Sequence, residues 1–348
     1  MRDNKPVVDS DRHVIEPDDL WVQRMPSKLK DRAPRPVAPN SRITVVDGVE
    51  VPPRKTYKGS SEFGGQYTQN RYSEASKAGF NAESQVQAMD EEGIDVAVMF
   101  PSRALLVFGV DGVDPVVTTA AAVAYNDWLA EFVSDGSQRM FGVGVLDLRD
   151  VEGARAEAKR CVDELGFVAL FVRPNPVNGR QLHDEAYEPL WAEIAALDVP
   201  ICFHEGSAVL LPQVATDRFE EHGFWHACTH PMEQQIAMLA MVLGGVLDRH
   251  PTLRCGFMEA GAGWLPYWSW RLTEAHEADA SNLPPISMEP ADYIKRQCFV
   301  SADSDEDTAP FALEHLGGTN VIWGSDYPHA DGKYPNAVKS LSGLEWKD

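Results

Sequence analysis

Five cysteines in 348 residues, scattered at Cys161, Cys202, Cys228, Cys255 and Cys298 with no CxxC spacing, exclude a disulfide-stapled scaffold and a thiolate metal knuckle. They read as reduced thiols, most of them core residues. Positive charge is also scarce. Against 53 Asp and Glu stand 31 Lys and Arg, a formal charge of −22 that repels phosphate backbones and anionic lipid. Nucleic acid and membrane surfaces are therefore poor partners, and a small organic substrate fits better. No apolar run approaches the ~18 residues of a membrane span. The opening MRDNKPVVDSDRH lacks the apolar stretch of a secretory leader, so a cytoplasmic location is expected. No GxGxxG follows the first strand, and neither a Walker A motif nor a GxSxG elbow occurs. Nucleotide binding on those folds and serine hydrolysis lose their basis.

What is present is a repeat of apolar runs with helical patterns between them: Val7–Asp11, Asp95–Phe100, Phe141–Leu146, Phe167–Val172, Val199–Phe203, Leu253–Met258, Cys298–Ser301 and Val321–Trp323. Runs without polar alternation are strands covered on both faces, and strand–helix alternation makes a parallel sheet. Eight such units predict an α/β fold, a (β/α)8 TIM barrel, over a single domain 1–348. Asp114-Pro115 and Asp150 open helices, while Gly93 and Gly166 end them. The stretch 17–94 is far longer than the ~2–6 residues of a normal βα connection. It is expected to be a lid capping the C-terminal mouth. Within it Arg42–Val46 and Val49–Val51 flank Asp47-Gly48, a type I′ hairpin signal, whereas Lys55–Ser76 has little apolar content and is expected to be mobile. Pro231–Arg249 is apolar nearly all round, which predicts a buried or interface helix opened by Pro231 and a homo-oligomer. Aromatics at Trp264, Tyr267, Trp268 and Trp270 are expected to pack inward.

Barrel enzymes carry their chemistry just beyond the strands. The first run leads into Asp11, His13 and Glu16, and Asp9, Asp11 and His13 share a face in strand geometry. The fifth ends at His204, the sixth at Glu259 and the eighth at Asp326; His230 precedes Pro231 and is expected at a cap or loop on the rim. Any one of these is ordinarily a satisfied structural group. Four carboxylates meeting at one barrel end would be prohibitive without cations. The joint pattern of Asp11, His13, Glu16, His204, His230, Glu259 and Asp326 therefore predicts a metal site. Glu205, Asp303, Glu306 and His329 are expected to stand around it or to cap the rim, and His222 to lie at the surface.

The motifs DxDxHxxEP, FHEG, HPxEQ, GFMEAGAGWLPYW and WGSDYPH, spread over residues 7 to 331, resemble the amidohydrolase superfamily. The branch is amidohydrolase-2, typified by aminocarboxymuconate semialdehyde decarboxylase. The resemblance implies that Asp11 and His13 take the place of the HxH pair, that His204 and Asp326 are ligands, and that Glu259 stands where decarboxylases carry a catalytic His. Phe171-Val-Arg173-Pro lacks the carboxylated Lys of hydrolytic members. So carboxylate-rich a set suits iron or manganese better than zinc. The EAGxGW and HPxE features are also similar to a branch of non-haem di-iron monooxygenases on this barrel, including a diterpenoid hydroxylase of platensimycin and platencin biosynthesis. The expectation is accordingly a dinuclear iron monooxygenase using O2 and an electron donor on an organic acid or CoA thioester, with Glu259 and His230 catalytic. The alternative is a mononuclear zinc or manganese hydrolase or decarboxylase with Glu259 as general acid or base.

Overall fold

The computed structural model describes residues 5–39, 41–52, 71–206 and 209–346. Its strands are β1 (Val8–His13), β2 (Arg35–Pro36), β3 (Thr44–Val46), β4 (Val49–Val51), β5 (Val96–Phe100), β6 (Met140–Val145), β7 (Ala169–Val172), β8 (Ile201–His204), β9 (Cys255–Met258), β10 (Cys298–Ala302) and β11 (Val321–Trp323). All eight apolar runs become strands of one parallel sheet, in the order β1-β5-β6-β7-β8-β9-β10-β11. β7, β8 and β9 are buried at every position, as sheets walled on both faces require. The fold is the expected TIM barrel.

The main helices are α1 (Ala82–Glu92), α2 (Arg103–Val107), α3 (Pro115–Ser134), α4 (Val151–Asp163), α5 (Glu188–Leu197), α6 (His222–Leu243), α7 (Leu265–Asp279), α8 (Pro290–Gln297) and α9 (Ala309–His315). The sequence punctuation holds where it can be checked. Asp114 accepts the Val116 N–H at 3.0 Å at the head of α3, and Asp150 accepts the Gly153 N–H at 3.0 Å at the head of α4. Gly93 takes the left-handed conformation (φ 75°) that ends α1. Pro231 departs from expectation. It does not open a helix but lies inside α6, which begins at His222. Burial of Trp225 and Thr229 extends the packed face toward the N-terminus and offsets the one backbone hydrogen bond that proline removes.

Two local irregularities position the functional end. β1 pairs Asp9 with Ala97 but Arg12 with Met99, a bulge of one residue. Asp9 accordingly leaves the face expected of it and accepts the Ser325 N–H at 2.9 Å and hydroxyl at 2.5 Å. The barrel then closes beyond the β11 ladder: the Asp326 N–H donates to Asp11 O at 3.0 Å, and the His13 N–H donates to Tyr327 O at 2.8 Å. Glycine is required at 324, where a Cβ would stand 2.3 Å from that of Asp11.

Between β1 and β5, β2, β3 and β4 form a small antiparallel sheet. Its hairpin turns at Asp47 (φ 49°) and Gly48 (φ 84°), as the Asp-Gly pair indicates. Most of the Lys55–Ser76 stretch, to residue 70, lies outside the described residues. From there the chain is tied to the barrel rim, Arg71 donating to Ala330 O at 3.0 Å and Tyr334 O at 2.6 Å. Cys161, Cys202, Cys255 and Cys298 are buried and Cys228 half-buried, all as free thiols. Among the described residues no helix is long and apolar enough to cross a membrane.

Candidate metal centre

The bulge leaves Asp11 and His13 pointing the same way, with His13 Nε2 3.6 Å from Asp11 Oδ1. From β8, His204 Nε2 reaches within 3.4 Å of the same Asp11 oxygen. From beyond β11, Asp326 Oδ1 lies 3.4 Å from His13 Nε2. These four atoms are buried and none has a hydrogen-bond partner; Asp326 Oδ1 comes within 2.7 Å of His329 Nδ1, but out of alignment. The histidines are oriented from behind. His13 Nδ1 and His204 Nδ1 each lie 2.7 Å from a backbone carbonyl, of Pro101 and Glu205 respectively. A carbonyl only accepts, so each Nδ1 carries a proton, and in the neutral ring each Nε2 turns a lone pair inward.

Glu259, just past β9, spans two histidines: Oε2 is 3.4 Å from His204 Nε2 and Oε1 3.3 Å from His230 Nε2. Burial alone would lift its carboxyl, but His230 and His204 outweigh that and hold it well below the usual carboxylate range. Burial dominates at Asp11 and, with the charges of Glu259 and Asp331 added, at Asp326, pushing both upward. His204 is carried the other way from its burial, up to about 9, chiefly by Asp11. A cluster with these tendencies demands positive charge at its centre, whether proton or cation. Glu259 (φ 49°) and Asp326 (φ 52°) also hold left-handed backbone conformations that a side chain makes costly.

Of the seven sequence candidates, Glu16 does not join. Its Oε1 accepts the Ala104 N–H at 2.9 Å and its Oε2 the Arg103 N–H at 2.7 Å, so both oxygens are spent on the N-terminus of α2. His230 joins from within a helix, not from a rim loop. Sequence reasoning undervalued three residues. His329 stacks on His13 with centroids 4.0 Å apart and has Nε2 2.8 Å from Ser102 Oγ. His226 stacks on His230 at 4.1 Å and pairs with Asp331 at 3.2 Å. With His222 these form an H-x3-H-x3-H series, one face of α6, which was legible had Pro231 not been read as a helix start. His222, expected at the surface, lines the cavity instead. That cavity, of about 550 Å³, opens above the cluster between Arg42, Phe80, Arg103, Leu105, His226 and His329.

The remaining motif residues brace this set. Gln234 of HPxEQ donates to Phe203 O at 2.9 Å and Met258 O at 3.2 Å, clamping the strand ends that carry His204 and Glu259. Gln234→Leu should leave both carbonyls buried and unpaired, costing about 1–3 kcal/mol of stability, which denaturant unfolding will measure. At the end of β7, Arg173 is buried against Glu205, which also accepts from Asn175 at 3.0 Å.

The comparisons with known proteins agree with this geometry and correct the chemistry expected from sequence. The amidohydrolase family model matches residues 8–341. The chain is 27% identical to the 2-amino-3-carboxymuconate-6-semialdehyde decarboxylase of Dictyostelium discoideum, over 70% of this chain and 65% of that one. It is 29% identical to the gamma-resorcylate decarboxylase of Polaromonas, over 70% and 76%. The 5-carboxyvanillate decarboxylase of Novosphingobium aromaticivorans, solved with manganese and 4-hydroxy-3-methoxy-5-nitrobenzoic acid, superposes with a TM-score of 0.70 at 19% identity, covering 99% of this chain and 92% of that one. These relatives are named for decarboxylation, a lyase reaction that consumes neither O2 nor reductant. That overturns the expected oxidoreductase, the di-iron monooxygenase of terpenoid or CoA-linked substrates with its O2 and electron donor. Two irons lose their support with it: among the described residues the unpartnered buried carboxylate and imidazole atoms are those of Asp11, His13, His204 and Asp326. A barrel with this cluster at its C-terminal end, matched over nearly its whole length, belongs to the amidohydrolase family.

Proposed function

We propose that this chain is a mononuclear, divalent-metal-dependent decarboxylase of a small aromatic carboxylic acid, with the described parts of the 17–94 connection, among them Arg42 and Phe80, as the lid over its cavity. One observation carries the reading: Asp11 Oδ1, His13 Nε2 and His204 Nε2 lie within 4.8 Å of one another and Asp326 Oδ1 joins them through His13, all four buried and without hydrogen-bond partners. Separations of 3.4–3.6 Å between them are edges that bonds of ~2.1 Å to one ion span. The mixed imidazole and carboxylate donors suit manganese or zinc, and the manganese in the carboxyvanillate decarboxylase supports the former. Bound there, the ion supplies a Lewis acid for an oxygen of the substrate.

The chain's own residues do the rest. Arg42 and Arg103 line the cavity and bring guanidinium groups to its wall, Arg103 braced by Asp18 at 2.8 Å, where they can receive the carboxylate of an organic acid. Phe80 and Leu105 give an aromatic ring an apolar wall. When the bond to the carboxyl carbon breaks, its electron pair stays on the ring carbon and CO2 departs. The His230–Glu259 pair holds the replacing proton at His230 Nε2, beside the cavity, and delivers it to that carbon.

The test is turnover of hydroxylated benzoates by manganese-loaded enzyme under strict anaerobiosis. The expected result is CO2 and decarboxylated product in equal amounts, at the same rate with and without air, from enzyme holding one ion per chain. Product that forms only with O2 and a reductant, or hydrolysis without CO2, overturns the reading.

A further inference from the structure

A second cavity, of about 380 Å³, lies beside the first and shares His226, His230, Glu259 and Asp331 with it. Its walls are α6 and the loops that follow β9, β10 and β11. The first of these loops leads through Trp264 into α7; Trp264 and Trp268 pack against the core as expected, while Tyr267 and Trp270 stand exposed. The two cavities differ in charge. In the first, Glu16 is spoken for by backbone N–H groups, Asp18 by Arg103 and Glu205 by Arg173, which leaves guanidinium groups at the wall. The second gathers Glu259, Asp303, Asp305, Glu306, Asp326 and Asp331 against one lysine, Lys333, which pairs with Asp305 at 3.0 Å. Among the described residues the Asp303 carboxylate has neither a hydrogen bond nor an ion pair, and its enclosure, with the charges of Glu306 and Glu259, pushes it up to about 7.

We propose that this second cavity is the passage by which the divalent ion reaches and leaves the centre, apart from the cavity that admits the substrate; the inference rests on the metal-dependent reading above. The position of Asp326 carries it. Of the four donors at the centre, Asp326 alone stands on the wall of either cavity, and the wall is that of the second. It is 8% exposed and its Oδ1 is without a hydrogen-bond partner, so a buried acceptor waits at the inner end of an acidic channel. A cleft lined by charge of one sign concentrates ions of the opposite sign and raises their rate of arrival. Carboxylate oxygens are also the donors for which a hard, hydrated cation gives up its water. The guanidinium groups of the first cavity repel the same cation and attract an acid instead. Separate routes allow the centre to be loaded while the first cavity is filled.

The experiment mixes metal-depleted full-length protein with a manganese(II) salt and follows uptake by the loss of the free ion's paramagnetic resonance signal. Asp303→Asn combined with Asp305→Asn should slow uptake about tenfold, the lower end of the range for electrostatic steering, and flatten its dependence on added salt. Ala227→Trp, which narrows the second cavity from α6 without changing its charge, should slow uptake as well, with an unchanged circular dichroism spectrum. Arg42→Gln, on the wall of the first cavity, should leave the rate as it is. All of these proteins should still reach one ion per chain at equilibrium. An unaltered rate in either of the first two variants, or faster uptake in Arg42→Gln, overturns the passage and leaves the centre standing. A protein that holds no ion at equilibrium overturns the metal-dependent reading and the passage with it.

Discussion

His204→Ala protein should fold, keep its barrel spectrum, and come off a manganese-loading column with metal content near zero instead of one ion per chain; decarboxylation should fall below detection. The effect follows from what the imidazole contributes. Its Nε2 is one of four converging buried donors, and the backbone carbonyl of Glu205 fixes its Nδ1–H at 2.7 Å, so no neighbour can substitute. Asp326→Asn should behave alike. Glu16→Gln makes the contrast. Its oxygens cap α2, so metal content should be unchanged while stability drops by about 0.5–2 kcal/mol, the range for losing a helix cap. Full metal occupancy in His204→Ala, or its loss in Glu16→Gln, would reverse the assignment of these residues.

Arg173→Ala should cost about 3–5 kcal/mol in urea unfolding, because a lone Glu205 carboxylate would remain in the barrel interior. Arg173 is 2% exposed and Glu205 fully buried, which removes the solvent that screens a surface pair. Combining Arg173→Met with Glu205→Gln should recover much of that loss, since both charges then disappear together. A second readout connects the pair to the metal. The Glu205 carbonyl aligns His204, and loosening a group that orients a ligand typically weakens metal binding by ~10–100-fold. A cost near zero with unaltered metal affinity would show that the pair merely fills space.

The barrel was legible because its strands are apolar on both faces, and eight such runs have few other solutions. Asp11, His13, His204, Glu259 and Asp326 were legible because each follows one of those runs closely. Glu16 and His329 were not separable in this way. Both are polar residues three positions past a strand or its site residue, and only the path of the loop sends one to the head of α2 and the other onto His13. Pro231 misled because a local rule, proline at a helix start, gave way to burial of the preceding turns. The reaction misled because the EAGxGW and HPxE features were matched to a di-iron branch, which assigns the carboxylate-rich set two cations, yet Glu16 is held by backbone N–H groups and Glu259 by histidines. One cation then suffices for the remainder, and a single ion suits a lyase.

The left-handed backbone at Glu259 and Asp326 sets a tension between durability and activity. Each position stores conformational energy that glycine would release, at roughly 0.5–1 kcal/mol or more apiece, and each is a place where glycine would abolish the centre. Under the proposed function, substitutions chosen for heat resistance alone would therefore remove the two carboxylates the centre can least lose.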